Sequence, residues 1–151
     1  MQETIKFRES LEKSIDLKNG LTLELWDKSR SMVGDRWKIT VIAQIDVPVD
    51  KAFLEPNGNK QENLDDMKML LGESVRFEKK MERFFIDEKD KDEVIQEIMD
   101  SLLKSLLPYL SHPQFCKRFI AIEFARAKQK KLLYKQQQEQ KEKMAERSDD
   151  I

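Results

Sequence analysis

The sequence predicts an α+β fold, in which a four-stranded antiparallel meander sheet is followed by C-terminal helices packed on one face. Two observations support this prediction. In the first half of the chain, apolar residues alternate with polar ones, which is the period of a half-buried strand. In the second half, apolar residues recur every three or four positions, which is the period of a helix with one buried side.

The totals describe a domain-sized chain with balanced charge. Its 151 residues include 28 basic and 29 acidic ones, which argues against a surface adapted as a whole to nucleic acid or anionic lipid. Cys116 is the single cysteine, so no intrachain disulfide is possible. No apolar run approaches the roughly 20 residues of a transmembrane helix, and the first ten residues lack the apolar core of a secretory signal. We therefore expect a cytoplasmic protein without a transmembrane segment.

Residues 11–25 predict a strand, a turn and a second strand. A two-residue turn would place the leucines of the two strands on opposite faces of the sheet. A three-residue loop, 18–20, instead pairs Leu17 with Leu21 and gives all the apolar side chains of both strands one shared face. Gly20 then takes the left-handed position that such loops require. We predict the three-residue loop.

The next strand, residues 36–47, has the strongest alternation in the chain. Trp37 and every second residue after it are apolar, so we predict that Trp37 belongs to the core. Matching this face with that of the preceding strand places Leu25 opposite Trp37 or Ile39.

The intervening stretch "WDKSRSMVGDRW" predicts a hairpin tip at residues 27–36. Trp26 lies on the other face of its strand, where it would face Arg36 or Lys38 and accept a cation over its ring. As a binding finger, the tip would offer Arg30 to a phosphate and Met32 to an apolar pocket. An ordinary solvated loop is the alternative, because most hairpin tips are polar.

The chain then predicts a short helix over residues 64–71, capped by Asn63 and ended by Gly72. A fourth strand follows at residues 74–86. Its alternation fails at consecutive phenylalanines, so we expect a β-bulge near residues 82–84.

Two helices complete the predicted fold. Asp90 and Glu93 have the spacing of a capping box, and apolar residues recur with helical spacing from Val94 to Leu110. Pro108 predicts a kink or break in this first helix. Pro113 suits the first turn of the second helix.

The second helix begins with apolar residues over more than half of its circumference. Such a segment is either deeply packed or covered by a partner, and its partner-binding candidates are Phe119, Ile122 and Phe124. The sequence becomes polar afterwards, with no sustained heptad. We therefore expect a single domain over residues 1–127, followed by a polar, helical and partly frayed tail over residues 128–151.

Residues 117–135 contain seven basic residues and one acid. They indicate a basic helix for nucleic acid or an anionic membrane surface, or a set of charges that offsets the acidic stretch 87–100 within the fold. The candidate nucleic-acid-binding residues are Arg126, Lys128, Lys130, Lys131 and Lys135.

Few residues in the chain indicate catalysis. His112 and Cys116 are four residues apart, but no second histidine or cysteine completes a metal site. Cys116 lies among phenylalanines, where a thiol keeps a high pKa and is inert. The sequence contains no P-loop, dinucleotide fingerprint or nucleophile elbow. We therefore predict a non-catalytic protein-interaction module without metal or cofactor, which binds a protein partner or itself. The alternative is a nucleic-acid-binding protein.

Overall fold

A computed structural model describes residues 9–54 and 64–149 of the chain. The first half contains strands β1 (Ser10–Asp16), β2 (Thr22–Asp27), β3 (Arg30–Ser31) and β4 (Arg36–Pro48), then helices α1 (Lys51–Leu54) and α2 (Leu64–Leu71). Strand β5 (Ser74–Asp87), a 3-10 turn (Glu88–Asp90), α3 (Lys91–Leu110) and α4 (Phe115–Asp149) follow. The predicted α+β fold, a four-stranded antiparallel sheet followed by helices, is confirmed.

The chain divides into two compact units. Unit 1 comprises Met1–Val47 and Val75–Phe115, and unit 2 comprises Pro48–Ser74 and Cys116–Ile151. The sheet with α3 belongs to unit 1, whereas α1, α2 and all of α4 after its first residue belong to unit 2. Residues 128–149 are helical and continue α4 without a break.

The first hairpin has the predicted three-residue loop. The backbone N–H of Leu17 donates to the carbonyl of Leu21 over 2.8 Å, and Ile15 lies opposite Leu23. Gly20 has φ +87°, the left-handed conformation that the loop requires. The pairing predicted from apolar parity is therefore confirmed at this turn.

Strand β1 departs from the prediction near its beginning. Leu11 lies opposite Trp26 while Lys13 lies opposite Leu25, so the register shifts by one residue between them. An extra residue moves every side chain before it to the other face of the sheet. Leu11 is accordingly 45% exposed, and the prediction that all apolar side chains of this hairpin share one face is wrong for Leu11.

The predicted register of the second hairpin is also wrong. Leu25 lies opposite Ala43, not opposite Trp37 or Ile39, and Trp26 lies opposite Ile42, not opposite a cation. The cause is that the hydrogen-bonded ladder of this hairpin is longer than predicted. β3 continues the line of β2 beside β4, and the pairing ends only where Met32 N–H donates to the carbonyl of Arg36 over 2.7 Å.

A cluster of buried polar side chains stabilises the irregular segment between β2 and β3. The hydroxyl of Ser29 donates to Asp27 Oδ1 over 2.6 Å and accepts from the N–H of Thr40 over 3.1 Å. Asp27 and Ser29 are both fully buried. The serine hydroxyl therefore takes the place of a backbone carbonyl and keeps the ladder closed where the strand is irregular.

The core of unit 1 lies on the odd-numbered face of β4. Trp37 is 6% exposed, which confirms its place in the core, and the odd-numbered residues 39–47 are buried more fully. Helix α3 spans this face. Near its beginning, the Lys91 ammonium lies 4.3 Å from the centroid of the Trp37 ring, and at its end the carbonyl of Leu110 accepts from the Asn19 side chain over 2.9 Å.

Three aromatic rings join β5 to the helices. The ring of Phe115 lies edge-on to Phe77 at 5.6 Å and to Tyr109 at 5.2 Å between centroids. Edge-to-face contacts of this kind contribute about 0.5–1.5 kcal/mol beyond burial. They hold the end of α3 and the first residue of α4 against the sheet within unit 1.

The irregularity expected in β5 lies close to its predicted place. Phe85 has φ +56°, the left-handed region that bulky residues rarely adopt, one residue beyond the predicted range 82–84. Phe84 and Phe85 are both exposed. The consecutive phenylalanines therefore do not continue the alternation of the strand.

The helix ends follow the sequence signals in part. Gly72 ends α2 with φ +87° as predicted, whereas the cap Asn63 lies outside the described residues. Asp90 precedes α3 as predicted, but its side chain makes no capping bond, because the 3-10 turn before the helix already gives it a helical backbone. Pro108 does not break α3, which continues to Leu110.

Glu82 of β5 pairs with a lysine of β4 and with a lysine of its own strand. Lys38 and Lys80 each place Nζ 3.0 Å from a carboxylate oxygen of Glu82. Hydrogen bonds from Lys38 and then from Lys80 hold the pKa of Glu82 below its ordinary value. A carboxylate with a lowered pKa stabilises the fold above its unfolded pKa of about 4.3 and loses that contribution as pH falls through the folded value.

We expect Glu82→Gln to lower the free energy of unfolding at neutral pH, because glutamine cannot replace the charge that both lysines contact. The difference from wild type should shrink in acid, where Glu82 itself becomes neutral. Urea denaturation at a series of pH values measures this. A difference that does not change with pH would contradict the electrostatic explanation.

We expect Gly20→Ala to lower the free energy of unfolding by about 1 kcal/mol, since alanine is strained in the left-handed region. Among the described residues, no atom lies within 4 Å of a Cβ built on Gly20, so the cost would come from the backbone alone. Gly20→Asn is the matched control, because asparagine tolerates this conformation. Equal losses for the two variants, measured by chemical denaturation, would show that backbone strain is not the cause.

Candidate functional site: a basic groove in unit 2

Unit 2 contains an open groove between α2 and α4, with a volume of about 560 Å³. Apolar and cationic side chains share its walls. The residues that line it are Asp66, Met69 and Leu70 from α2, and Phe124, Lys128, Lys131, Leu132 and Lys135 from α4.

Local sequence fixes the length of the α2 wall. Gly72 ends the helix, and its N–H donates to the carbonyl of Lys68 over 2.8 Å. The N–H of Val49 donates to the carbonyl of Glu73 over 2.9 Å and ties the chain after the helix to the segment before α1. The lining residues of α2 are thus held on a short helix of eight residues.

Three lysines form a row along the α4 wall. Lys128, Lys131 and Lys135 are spaced at i, i+3 and i+7, which places them on one side of a helix. The ammonium of Lys128 lies 4.3 Å from the centroid of the Phe124 ring. All three are exposed, and within residues 9–54 and 64–149 none of them forms an ion pair. Their charges are therefore available to an anionic ligand.

The apolar side chains of the groove are open to solvent at its edges. Met69 is 86% exposed on α2, and Leu132 is 56% exposed on α4, whereas Phe124 is only 9% exposed and forms part of the floor. Exposed apolar side chains therefore lie next to exposed cations in one groove.

The predicted nucleic-acid residues fall into two groups. Lys128, Lys131 and Lys135 line the groove, whereas Lys130 lies on another face of α4 and Arg126 donates to Glu123 over 3.1 Å. The run of bases in the sequence is therefore not one continuous surface. Because the helix has 3.6 residues per turn, basic residues that are neighbours in the sequence lie on different sides of it.

Most of the predicted partner-binding residues are either buried within the chain or belong to unit 1. In unit 2, Phe119 and Phe124 are each 9% exposed, so their area is already buried in the single chain, and only Ile122 is open at 49%. The hairpin candidates Trp26, Arg30 and Met32 belong to unit 1.

The structure places those three hairpin candidates within the second hairpin. Trp26 and Met32 are half-buried there, and Arg30 is exposed. The chain just after Met32 is tied to the end of β5, because Glu88 N–H donates to the carbonyl of Asp35 over 3.0 Å and Arg36 pairs with Asp87. The tip is thus held to the end of β5 and is not an isolated finger.

The contribution of α2 could not be recognised in the sequence. Its apolar residues predict an ordinary amphipathic helix, and the exposure of Met69 depends on tertiary packing. A methionine on the solvent side of a short helix was the available signal, since methionine side chains adapt well to varied partners.

The residues considered for catalysis, His112 and Cys116, lie in a turn and in a buried position. His112 accepts a hydrogen bond at Nδ1 from the N–H of Gln114 over 3.0 Å and shapes the turn before α4. Cys116 is buried, and burial raises the pKa of its thiol, which disfavours the reactive thiolate. No cluster of three or more potential metal ligands occurs in the described part of the chain.

No helix among the described residues is long and apolar enough to span a membrane. In comparisons with known proteins, no family model, no curated protein and no solved structure matches the chain. The groove itself is therefore the basis for a functional proposal.

Proposed function

We propose that the protein is a non-catalytic, cytoplasmic interaction module that binds an acidic protein partner through the groove between α2 and α4. The observation that supports this proposal is the combination of exposed lysines and exposed apolar side chains in one groove. Neither kind of side chain alone would favour a protein ligand that is both acidic and apolar.

The openness of the groove favours a macromolecular ligand over a small one. Small-molecule sites enclose about 70–90% of their ligand. Here Met69, Leu132 and the row of lysines are exposed, so a small molecule would remain largely in solvent. A protein segment can cover these side chains and remain attached to its own fold.

Apolar burial and ion pairing would contribute different amounts to the binding free energy in this groove. Exposed ion pairs contribute about 0.2–1 kcal/mol each. Complete burial of Met69 would contribute about 1.5–3 kcal/mol, and burial of the exposed half of Leu132 would contribute about half as much. The apolar side chains would therefore supply most of the affinity, and the lysines would select an acidic partner and make binding sensitive to salt.

Nucleic acid is the second candidate ligand, favoured by the exposure of Lys130 together with the lysines of the groove. Non-sequence-specific binding of single strands combines phosphate contacts with bases stacked on aromatic rings. Phe124 is nearly buried and already has Lys128 over its ring, so the groove offers no free aromatic face. This observation favours the protein partner.

Self-association through residues 115–124 has less support than the groove. Most of the apolar area of this segment is buried within the chain, and Ile122 is its exposed large side chain. A single half-exposed isoleucine is a small contact compared with the interfaces of stable dimers, which bury about 800 Å² on each partner.

We expect replacement of Lys128, Lys131 and Lys135 with Gln to weaken binding to a random copolymer of glutamate and tyrosine. Replacement of Lys130, Lys141 and Lys143 with Gln is the matched control: it removes the same charge from the same helix, outside the groove. Fluorescence anisotropy with labelled copolymer and with a labelled single-stranded oligonucleotide measures both variants over a range of salt concentrations.

The groove proposal requires the first variant to lose copolymer binding while the control retains it. Equal losses in the two variants would show that the general charge of α4, and not the groove, attracts the ligand. Binding of the oligonucleotide but not of the copolymer would favour the nucleic-acid alternative, with a salt dependence that flattens as lysines are removed.

A further inference from the structure

We infer that the ligand segment is an acidic amphipathic α-helix that lies along α4 in the groove. This inference rests on the proposed function and specifies the conformation of the partner. Its basis is the spacing of the charges and the length of the apolar wall.

The row of lysines matches the period of a helix. Lys128 and Lys135 are seven residues apart, which corresponds to about 10 Å, or two turns, along the axis of α4. A helix that lies antiparallel to α4 would present acids at i, i+4 and i+7 to Lys135, Lys131 and Lys128 in turn. An extended strand places side chains of one face about 6.6 Å apart, so three of its acids would span about 13 Å and match the row of about 10 Å less closely than a helix does.

The opposite wall is formed by residues 66–70 of α2, which span about 6 Å, or a little more than one turn. A ligand helix of two turns would thus match the row of lysines over its whole length and contact α2 over about half of it, with one apolar stripe packed between Met69 and Leu132. Recognition of a helix in a groove commonly uses apolar anchors at i, i+3, i+4 and i+7, and methionine adapts its shape to such anchors.

Asp66 restricts the orientation of the ligand. It is the one acidic residue among the described residues of the lining, and it lies in the first turn of α2, on the wall across from the lysines of α4. An acid of the ligand near Asp66 would be repelled, whereas a basic or neutral residue would be accepted. The ligand helix is therefore acidic on the side that faces α4 and not on the side that faces α2.

A second copy of this chain is the competing source of such a helix. The exposed residues Glu93, Glu97 and Asp100 of α3 have the same i, i+4, i+7 spacing. The stripe continues with Lys104, and the aliphatic residues of α3 are buried or half-buried in unit 1. This stripe offers no apolar anchor for Met69 and Leu132, so the structure favours a separate partner.

Two synthetic peptides of identical composition test the inference. The first carries Glu at i, i+4 and i+7 with Leu on the neighbouring stripe, and the second distributes the same residues around the helix. Anisotropy measures the binding of each peptide to the full chain. We expect the first peptide to bind at least about tenfold more tightly. That advantage should disappear when Lys128, Lys131 and Lys135 are replaced with Gln, and when Met69 and Leu132 are replaced with Gln.

The control replacement of Lys130, Lys141 and Lys143 with Gln should retain the advantage, and circular dichroism should show that every variant is folded. Equal affinity of wild type for the two peptides would overturn the inference. If lysine-dependent binding of the glutamate–tyrosine copolymer persisted in that case, the proposed function would stand and only the helical ligand would be wrong. Self-association of the chain that is lost on replacement of Glu93, Glu97 and Asp100 would instead identify a second copy as the occupant.

Discussion

The buried face of β4 is the constraint on which the structure of unit 1 depends. Its odd-numbered residues from Trp37 to Val47 are at most 6% exposed, and both neighbouring strands must present their own apolar side chains to the same side. A shift of one residue in the register would move this whole set to the opposite face of the sheet, which carries the polar side chains of the strand. Helix α3 then has one possible surface to cover, and its contacts with Trp37 and Asn19 fix its direction across the sheet.

The sequence predicted most of this arrangement, and its failures have physical causes. The alternation of apolar residues was sufficient to predict the loop that ends at Gly20. Only one loop length placed the apolar side chains of both strands on the same face of the sheet. In the second hairpin, parity allowed several registers that differ by two residues. The choice among them depended on the hydroxyl of Ser29, which closes the ladder through a tertiary contact with Thr40. The exposure of Leu11 depended similarly on an irregularity in β1 that no residue pattern marks.

The candidate site was predicted only in part. The sequence identified a basic stretch, but the period of α4 determines that Lys131 belongs to the groove and Lys130 does not. The second wall comes from α2, some sixty residues earlier in the chain, and no local pattern relates the two helices. The result is a groove in which Met69 and Leu132 lie beside a row of exposed lysines.

The most direct test of this account is a nuclear magnetic resonance titration of the labelled protein with the patterned acidic peptide. Amide signals of residues 66–71 in α2 and 124–135 in α4 should shift together, because the ligand contacts both walls of the groove. Signals from β4 and from the tip of the second hairpin should remain unchanged. Shifts confined to one helix, or concentrated in unit 1, would contradict the assignment of the groove as the binding site.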